Sequence, residues 1–395
     1  MFSFQIVYGC RGLEEIAKEW EQITNSMKRK RFFHLIDWYR CYLEALEDHP
    51  EQVFFCVIYC DNQAEAIIPF RKTSRRILGI KMKVLELPHH PHLSLGDFIA
   101  AGNDKFYNYI PCLLKELKRL TDFRWDYLYF SNVLEDSSAF HAFAQQPLGF
   151  HVIKQQMGHC NYLVVTPYEQ LLQRLSPNFR NNLRKARNRS YRLGASYTSA
   201  STLPELENLY SQFLDVETSG WKGEQGISTA IKLDERLILF YRELLYRYAS
   251  RGECEIHVIK DKEKPISAAF TLIINDTFYI LKIAYNEAYA KLSPGHMLRE
   301  HILRNCHVRD QINYLNFVTA ESWHDQWQPL NYNIFKLYIY KSTLLYPYLI
   351  SAFTLIDSAL HNWRHRFFIR KRGKLKMQFS WKTKIKKFLY TLSHN

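Results

Sequence analysis

Apolar positions along the first 340 residues recur at two periods in turn, every second residue over short bursts and every third or fourth over longer ones. Residues 1–165 predict a strand over 4–7 and then a helix carrying Leu13, Ile16, Ala17 and Trp20. A second helix over 37–46 leads to strands 53–59 and 64–70, which Asp61-Asn62-Gln63 joins as a hairpin. A strand over 83–87, a helix over 107–120 and a strand over 125–130 follow. Residues 166–345 repeat the alternation, with helices over 168–175, 178–192, 203–217 and 234–251, strands over 255–260, 266–274 and 277–285, a helix from 294, a strand over 313–318, a short helix near 323–327 and a strand over 334–340. The expected fold class is α/β (α+β).

The most informative stretch is 277–303. Its first nine residues are β-branched and aromatic, whereas Met297, Leu298, His301 and Ile302 keep helical spacing, so a strand hands over to a helix across one polar loop. Ser293 suits the N-cap, Pro294 the first helical position, and Gly295 lets a ligand approach the backbone. Free N–H groups and the positive end of the helix dipole at Gly295 and His296 make an anion site, with a pyrophosphate the usual occupant; an ordinary capped helix is the alternative.

Composition changes the picture in two places. A hydrophobic fraction of 47% and a charged fraction of 23% are those of a globular protein, and 395 residues suffice for two domains. The net charge of +14 belongs to the tail, because residues 358–395 hold eleven Lys or Arg and no acid, which leaves +3 for residues 1–357. The start of the chain has no basic n-region and the eight cysteines form no CxxC pattern, so a cytoplasmic protein with free thiols is expected. His89, His90 and His92 surround Pro91 and share no face with a fitting carboxylate or thiol; no metal site is expected, and a solvated or substrate-lining loop is.

On the helix over 178–192, Phe179, Leu183 and Ala186 form an apolar seam flanked by Arg180, Arg184 and Arg187 on one side and Lys185, Arg189 and Arg192 on the other. A wall of an anion site, a solvated face and a nucleic-acid surface all fit this pattern. No nucleophile elbow of a Ser-His-Asp or Cys-His hydrolase is present.

With these pieces in hand, residues 176–340 resemble the GNAT-like acyltransferases of the cellulose-biosynthesis (CelD-type) family, relatives of the FemAB-type peptidyl transferases. The resemblance rests on Phe179-Arg-Asn-Asn-Leu-Arg-Lys-Ala-Arg187, on Glu217-Thr-Ser-Gly-Trp-Lys-Gly223 with Thr229-Ala-Ile231, on Ala268-Ala-Phe-Thr-Leu272, and on Tyr279-Ile-Leu-Lys-Ile-Ala-Tyr-Asn-Glu-Ala-Tyr289 running into Ser293-Pro-Gly295. It implies tandem GNAT-like lobes, each a mixed, mostly antiparallel sheet with flanking helices: a degenerate lobe over 1–165 and an acyltransferase lobe over 166–345 that alone keeps the ligand loop. It implies acyl-CoA (acetyl-CoA) as co-substrate, held by Lys282, Ile283 and Ala284 on a splayed strand and by Ser293, Gly295, His296 and Met297 at the helix start. Where many relatives have Gly-Asp and then Tyr-Lys, this chain has Ala320-Glu321 and Trp323-His324-Asp325-Gln326-Trp327.

Acyl transfer to an amine needs a base for the amine proton and an acid for the leaving thiolate. Glu217, before the glycine loop, is the first candidate base; Glu321 is the second, with His324 beside it, and a solvated carboxylate is the alternative for both. Tyr285 is the candidate acid, or else a core tyrosine. Trp221 and Lys222 in the loop, and Arg180 and Arg184 on the basic helix, are the candidates for holding substrate. Residues 346–395 pair an apolar stretch with a basic amphipathic one, in which Trp381, Ile385, Phe388 and Leu392 keep helical spacing; a helical tail that binds an anionic membrane surface from the inner side is expected, and a disordered basic tail is the alternative. The expected activity is N-acyl transfer to an amino sugar or similar amine of envelope or exopolysaccharide synthesis, without DNA. The alternatives are transfer from aminoacyl-tRNA, for which the basic helix would be the mark, and a silent accessory role beside a membrane synthase.

Overall fold

The computed structural model describes residues 2–77, 80–102, 106–120, 122–144, 147–220, 222–223, 228–341, 352 and 356. Trp221 and, those last two positions apart, the expected basic tail lie outside the described residues.

The first half of the chain runs β1 (Phe2–Tyr8), α1 (Gly9–Glu15), α2 (Ala17–Ser26), α3 (Ile36–Ala45), β2 (Val53–Cys60), β3 (Gln63–Ile77), β4 (Ile80–Glu86), β5 (Ile99–Ala100), α4 (Phe106–Lys118), β6 (Tyr127–Leu134), α5 (Ser138–Ala142) and β7 (Phe150–Val164). The second half runs α6 (Tyr168–Arg174), α7 (Pro177–Leu193), β8 (Ala195–Ala200), α8 (Leu203–Ser219), α9 (Glu235–Ala249), β9 (Cys254–Asp261), β10 (Lys264–Ile274), β11 (Thr277–Tyr285), α10 (Pro294–His307), β12 (Tyr314–Asn316) and β13 (Leu330–Lys341). The hairpin between β2 and β3 turns through Asp61 and Asn62, both at positive φ (50° and 66°), the two-residue turn whose twist suits antiparallel strands.

One mixed sheet carries the order β1-β2-β3-β4-β6-β13-β7-β12-β11-β10-β9-β8, with β5 beside β3. Each half contributes four antiparallel strands and then a parallel neighbour, β4 with β6 in the first and β11 with β12 in the second. The last strand of each half is exchanged: β13 pairs with β6, β7 pairs with β12, and the two pair with each other from Leu330↔Tyr162 to Lys341↔Phe150. The division expected near residue 165 is therefore a division of the sequence, while the sheet runs on without a break.

Helices cover both faces. On one face α1–α3 and α8–α9 share a core that crosses between the halves, with Trp38 and Phe240 rings 5.5 Å apart. On the other face, α4 and α5 cover the first half, and α6, α7 and α10 cover the second. Residues 53–58 of β2 are buried without a polar interruption because helices lie above and below them. Three strands were not expected, the two-residue β5 among them. The 15-residue β7 and the short β8 are rich in Lys, Gln, His, Ser and Thr, and are only partly buried, so neither shows a clean alternation.

Candidate functional site

The strand β11 is irregular where the site forms. Its register against β10 passes from Phe270↔Lys282 to Thr271↔Ile280, so Leu281 is an extra residue, a bulge that re-aims residues 282–285. On its other side β11 pairs with β12 only over residues 277–279, opposite Tyr314, Leu315 and Asn316. The strand expected over 313–318 is thus cut to three residues. Asn316 Oδ1 accepts the Val318 N–H at 2.7 Å and Phe317 N–H turns to Asn161 O at 2.9 Å, which draws the chain away from β11. Asn286 N–H bonds Ile266 O on the β10 side at 2.8 Å. By alternation, the N–H and C=O groups of Ile283 and Tyr285 face the opened edge. In the first half the equivalent parallel pair stays closed, since Leu87 N–H continues it to Tyr129 O at 3.2 Å.

A cleft of about 720 Å³ occupies the gap. Lys282, Ile283, Ala284 and Tyr285 form its floor, Ser293, Gly295 and His296 one end, Glu217 and Lys222 one wall, and Glu321, with His324, the other. Met297 is not among its lining; it is 4% exposed and packs into the core beneath α10. Arg180 and Arg184 lie outside it on α7, with Arg184 bonded to Asn181 Oδ1 at 3.0 Å. That helix does bury Phe179, Leu183 and Ala186, and Arg187 reaches Glu300 at 3.1 Å.

At the start of α10, Ser293 is in the left-handed region (φ 53°, ψ 50°) and its hydroxyl caps nothing. The 3-10 turn Glu287–Leu292 delivers the chain in that conformation, and the Ser293 carbonyl instead accepts the N–H groups of His296 (3.0 Å) and Met297 (3.1 Å). Pro294 has no N–H, which leaves that of Gly295 as the donor of the first turn. A Cβ added at Gly295 would sit 3.7 Å from the Tyr285 ring, so strand end and helix start are in contact distance. His296 Nδ1 accepts from Trp327 Nε1 at 3.1 Å, and burial, followed by Arg299, pushes the imidazole down to about 4. His296 is neutral at pH 7 and presents Nε2 as a donor.

Across the cleft, Glu217 closes α8 and is 2% exposed. Its Oε1 takes Lys222 Nζ at 3.1 Å and its Oε2 the Ile231 N–H at 2.7 Å, so one carboxylate holds both residues. Gly223 has no substitute there, for a Cβ would lie 1.9 Å from Thr218 O. Lys282 faces this wall; burial, then the Lys222 charge, push it down to about 8 against the pull of Glu217. His92, from the first half of the chain, bonds Tyr241 Oη at 2.9 Å and is pushed down to about 3 by burial and then by Lys282. No group of three or more metal-ligating side chains occurs among the described residues.

On the remaining wall His324 is 1% exposed, stacked on Phe317 (4.4 Å), with Nδ1 accepting from Glu321 N–H (3.2 Å) and contacting Asn161 Nδ2 (3.3 Å). Burial, with Arg299 and His296, pushes it down to about 3. Its accepting nitrogen is committed to the fold. Glu321 itself is exposed. Arg299, 1% exposed, also lines the cleft and was missed in the sequence; the available signal was a cation in the stripe shared with Ile302, Leu303 and Cys306.

Residues 177–328 match the family described as acetyltransferase (GNAT) domain. This segment is similar to a GNAT acetyltransferase domain. No protein of curated function matches the sequence. Among solved structures the chain is similar to FemX, at 11% identity over 85% of this chain and 98% of the other with a TM-score of 0.52. It is likewise similar to a conserved protein of unknown function from Bacteroides thetaiotaomicron, at 15% identity over 86% and 100% with a TM-score of 0.51. A tandem GNAT protein from the clavulanic acid biosynthesis pathway covers 87% and 99% at 9% identity with a TM-score of 0.46. At such identities the likeness is one of fold, and it spans both halves of the chain. The GNAT-like domain places its open strand edge and helix start at the one cleft described above.

Proposed function

We propose that this protein transfers an acyl group from acyl-CoA to the amine of an amino sugar or similar intermediate of envelope or exopolysaccharide synthesis, as the narrower resemblance to the CelD-type family suggests. The observation that carries the reading is the joining, in one cleft, of the open backbone edge at Ile283 and Tyr285 with the Gly295 N–H. The edge suits the amides of a pantetheine arm, and Gly295 with His296 suits a diphosphate. Acyl-CoA supplies the acyl group already activated as a thioester.

In this reading the acceptor amine enters from the wall of Glu217, Lys222 and Lys282. Glu217 takes the proton that the amine loses as its nitrogen bonds the acyl carbon, and Tyr285 gives one to the sulfur as the C–S bond breaks. Glu321 stands as the second base, although its exposure leaves it little shielded from water. Lys282, charged in most molecules at pH 7, repels a protonated amine and so favours the neutral, nucleophilic form. Among the described residues no helix is long and apolar enough to cross a membrane, and tethering to an anionic membrane surface through the tail belongs to the same proposal.

Calorimetric titration with CoA and a set of acyl-CoAs tests it, on the parent and on Gly295→Glu. A Cβ has room there, and the glutamate sets a negative charge in the diphosphate position. Saturable binding that the variant loses supports the reading. No heat from any acyl-CoA, with a folded parent, sinks it and directs the search to aminoacyl-tRNA, whose mark remains the exposed Arg184, Lys185 and Arg192 of α7.

A further inference from the structure

Buried cations in this fold have carboxylate partners. Arg31, 5% exposed, pairs with Asp136 at 2.6 Å, and Lys72, 9% exposed, pairs with Asp122. Arg299 breaks the rule. It is 1% exposed, its Nε has no hydrogen-bond partner, and among the described residues no carboxylate lies within ion-pair range. Its neighbour Glu300 turns the other way, to Tyr168, Arg187 and Arg304. The groups that Arg299 does touch only orient it. The guanidinium lies over the Trp323 ring at 4.2 Å and farther from Phe317, at 5.3 Å, and Nη1 stands 3.5 Å from His296 Nδ1, a nitrogen that Trp327 already engages. A flat cation over an aromatic face can keep its donor edge for a ligand, and Arg299 lines the cleft. Burial alone pushes the group down to about 9, so it is still charged at neutral pH.

An unpaired buried charge persists in a fold when something outside the chain pairs with it. The geometry points to an anion subsite at Arg299, where the ligand of the cleft sets an oxyanion, phosphate or carboxylate, against the guanidinium in addition to the group held at Gly295. The guanidinium fork matches either anion in a bidentate contact. Arg299 follows Gly295 by four residues, about 6 Å along the helix axis. That spacing fits two sources of the same chemistry: the second phosphate of a diphosphate that begins at Gly295, or a carboxylate carried on the acyl group itself. The inference rests on the donor reading given above.

The test compares parent, Arg299→Met and Arg299→Lys by calorimetry with CoA, pantetheine, butyryl-CoA and succinyl-CoA. If a phosphate is the partner, CoA binding falls roughly 30-fold or more in Arg299→Met, while pantetheine binds both proteins alike. If an acyl carboxylate is the partner, the parent prefers succinyl-CoA to butyryl-CoA and the methionine variant loses that preference while its affinity for CoA is unchanged. Either result supports the subsite, and in both the ligand-free methionine variant unfolds at the parent's denaturant concentration or above it, because an unpaired buried charge has gone. Should that variant not fold, Arg299→Lys decides alone, since loss of the fork must still weaken binding by about tenfold. Equal affinities in all three proteins, with Gly295→Glu still weakened, overturn the subsite and leave the donor reading standing. No binding of any CoA species to the parent overturns both.

Discussion

Lys282 offers a measurement whose sign and size both derive from its surroundings. The ammonium sits half-buried on the cleft floor beside Lys222, and is pushed down from 10.5 to about 8 by burial first and by that second cation next. Between these two values the unfolded chain holds the proton that the folded chain has released. Stability therefore rises with pH across this window, and the cost is fully present below pH 8. The step from 10.5 to about 8 corresponds to about 3 kcal/mol, which partial exposure reduces to roughly 2. Lys282→Met removes the charge and keeps most of the side-chain volume. Urea unfolding of parent and variant at pH 7, 8, 9 and 10, at fixed ionic strength, should show the variant more stable by about 2 kcal/mol at pH 7, with the gap narrowing to a fraction of that by pH 10. Using the difference between the two proteins cancels the groups that do not interact with Lys282. A gap that stays constant over the four pH values would refute the burial argument, and a parent more stable at pH 7 would reverse it.

Glu217→Gln keeps an oxygen for the Ile231 N–H but cannot take a proton, so turnover with a saturating donor should fall about 10²- to 10⁴-fold while unfolding moves by no more than about 2 kcal/mol; equal turnover would remove Glu217 as the base. Gly223→Ala forces the loop off Thr218 O and should cost about 1–3 kcal/mol together with acceptor affinity, read as a raised KM in acyl transfer.

How far the sequence could be read depended on whether the signal was local. The Asp61-Asn62 turn, the apolar seam of α7 and the passage from β11 into α10 are each written in one short run of consecutive residues, and each forms. The Ser293 cap was misread because its type fits the position, while its backbone angles are set by the preceding turn. The strand β7 was invisible, since Lys154, Gln155 and Gln156 look like loop residues until β13 supplies their partners from about 180 residues away. Arg299 and His92 illustrate the same limit at the site: a buried unpaired arginine looks like any surface arginine, and the approach of a first-half histidine to Lys282 exists only after folding.

The exchange of final strands makes the two halves dependents of each other. The segment that matches the acetyltransferase domain begins at residue 177, yet the strand flanking β12 on its far side is β7, which ends at Val164. Asn161 of that strand accepts the Phe317 N–H and contacts His324. One jaw of the cleft is thus braced by the other half of the chain. A gene cut between the halves would therefore yield two fragments that regain the site only by finding each other.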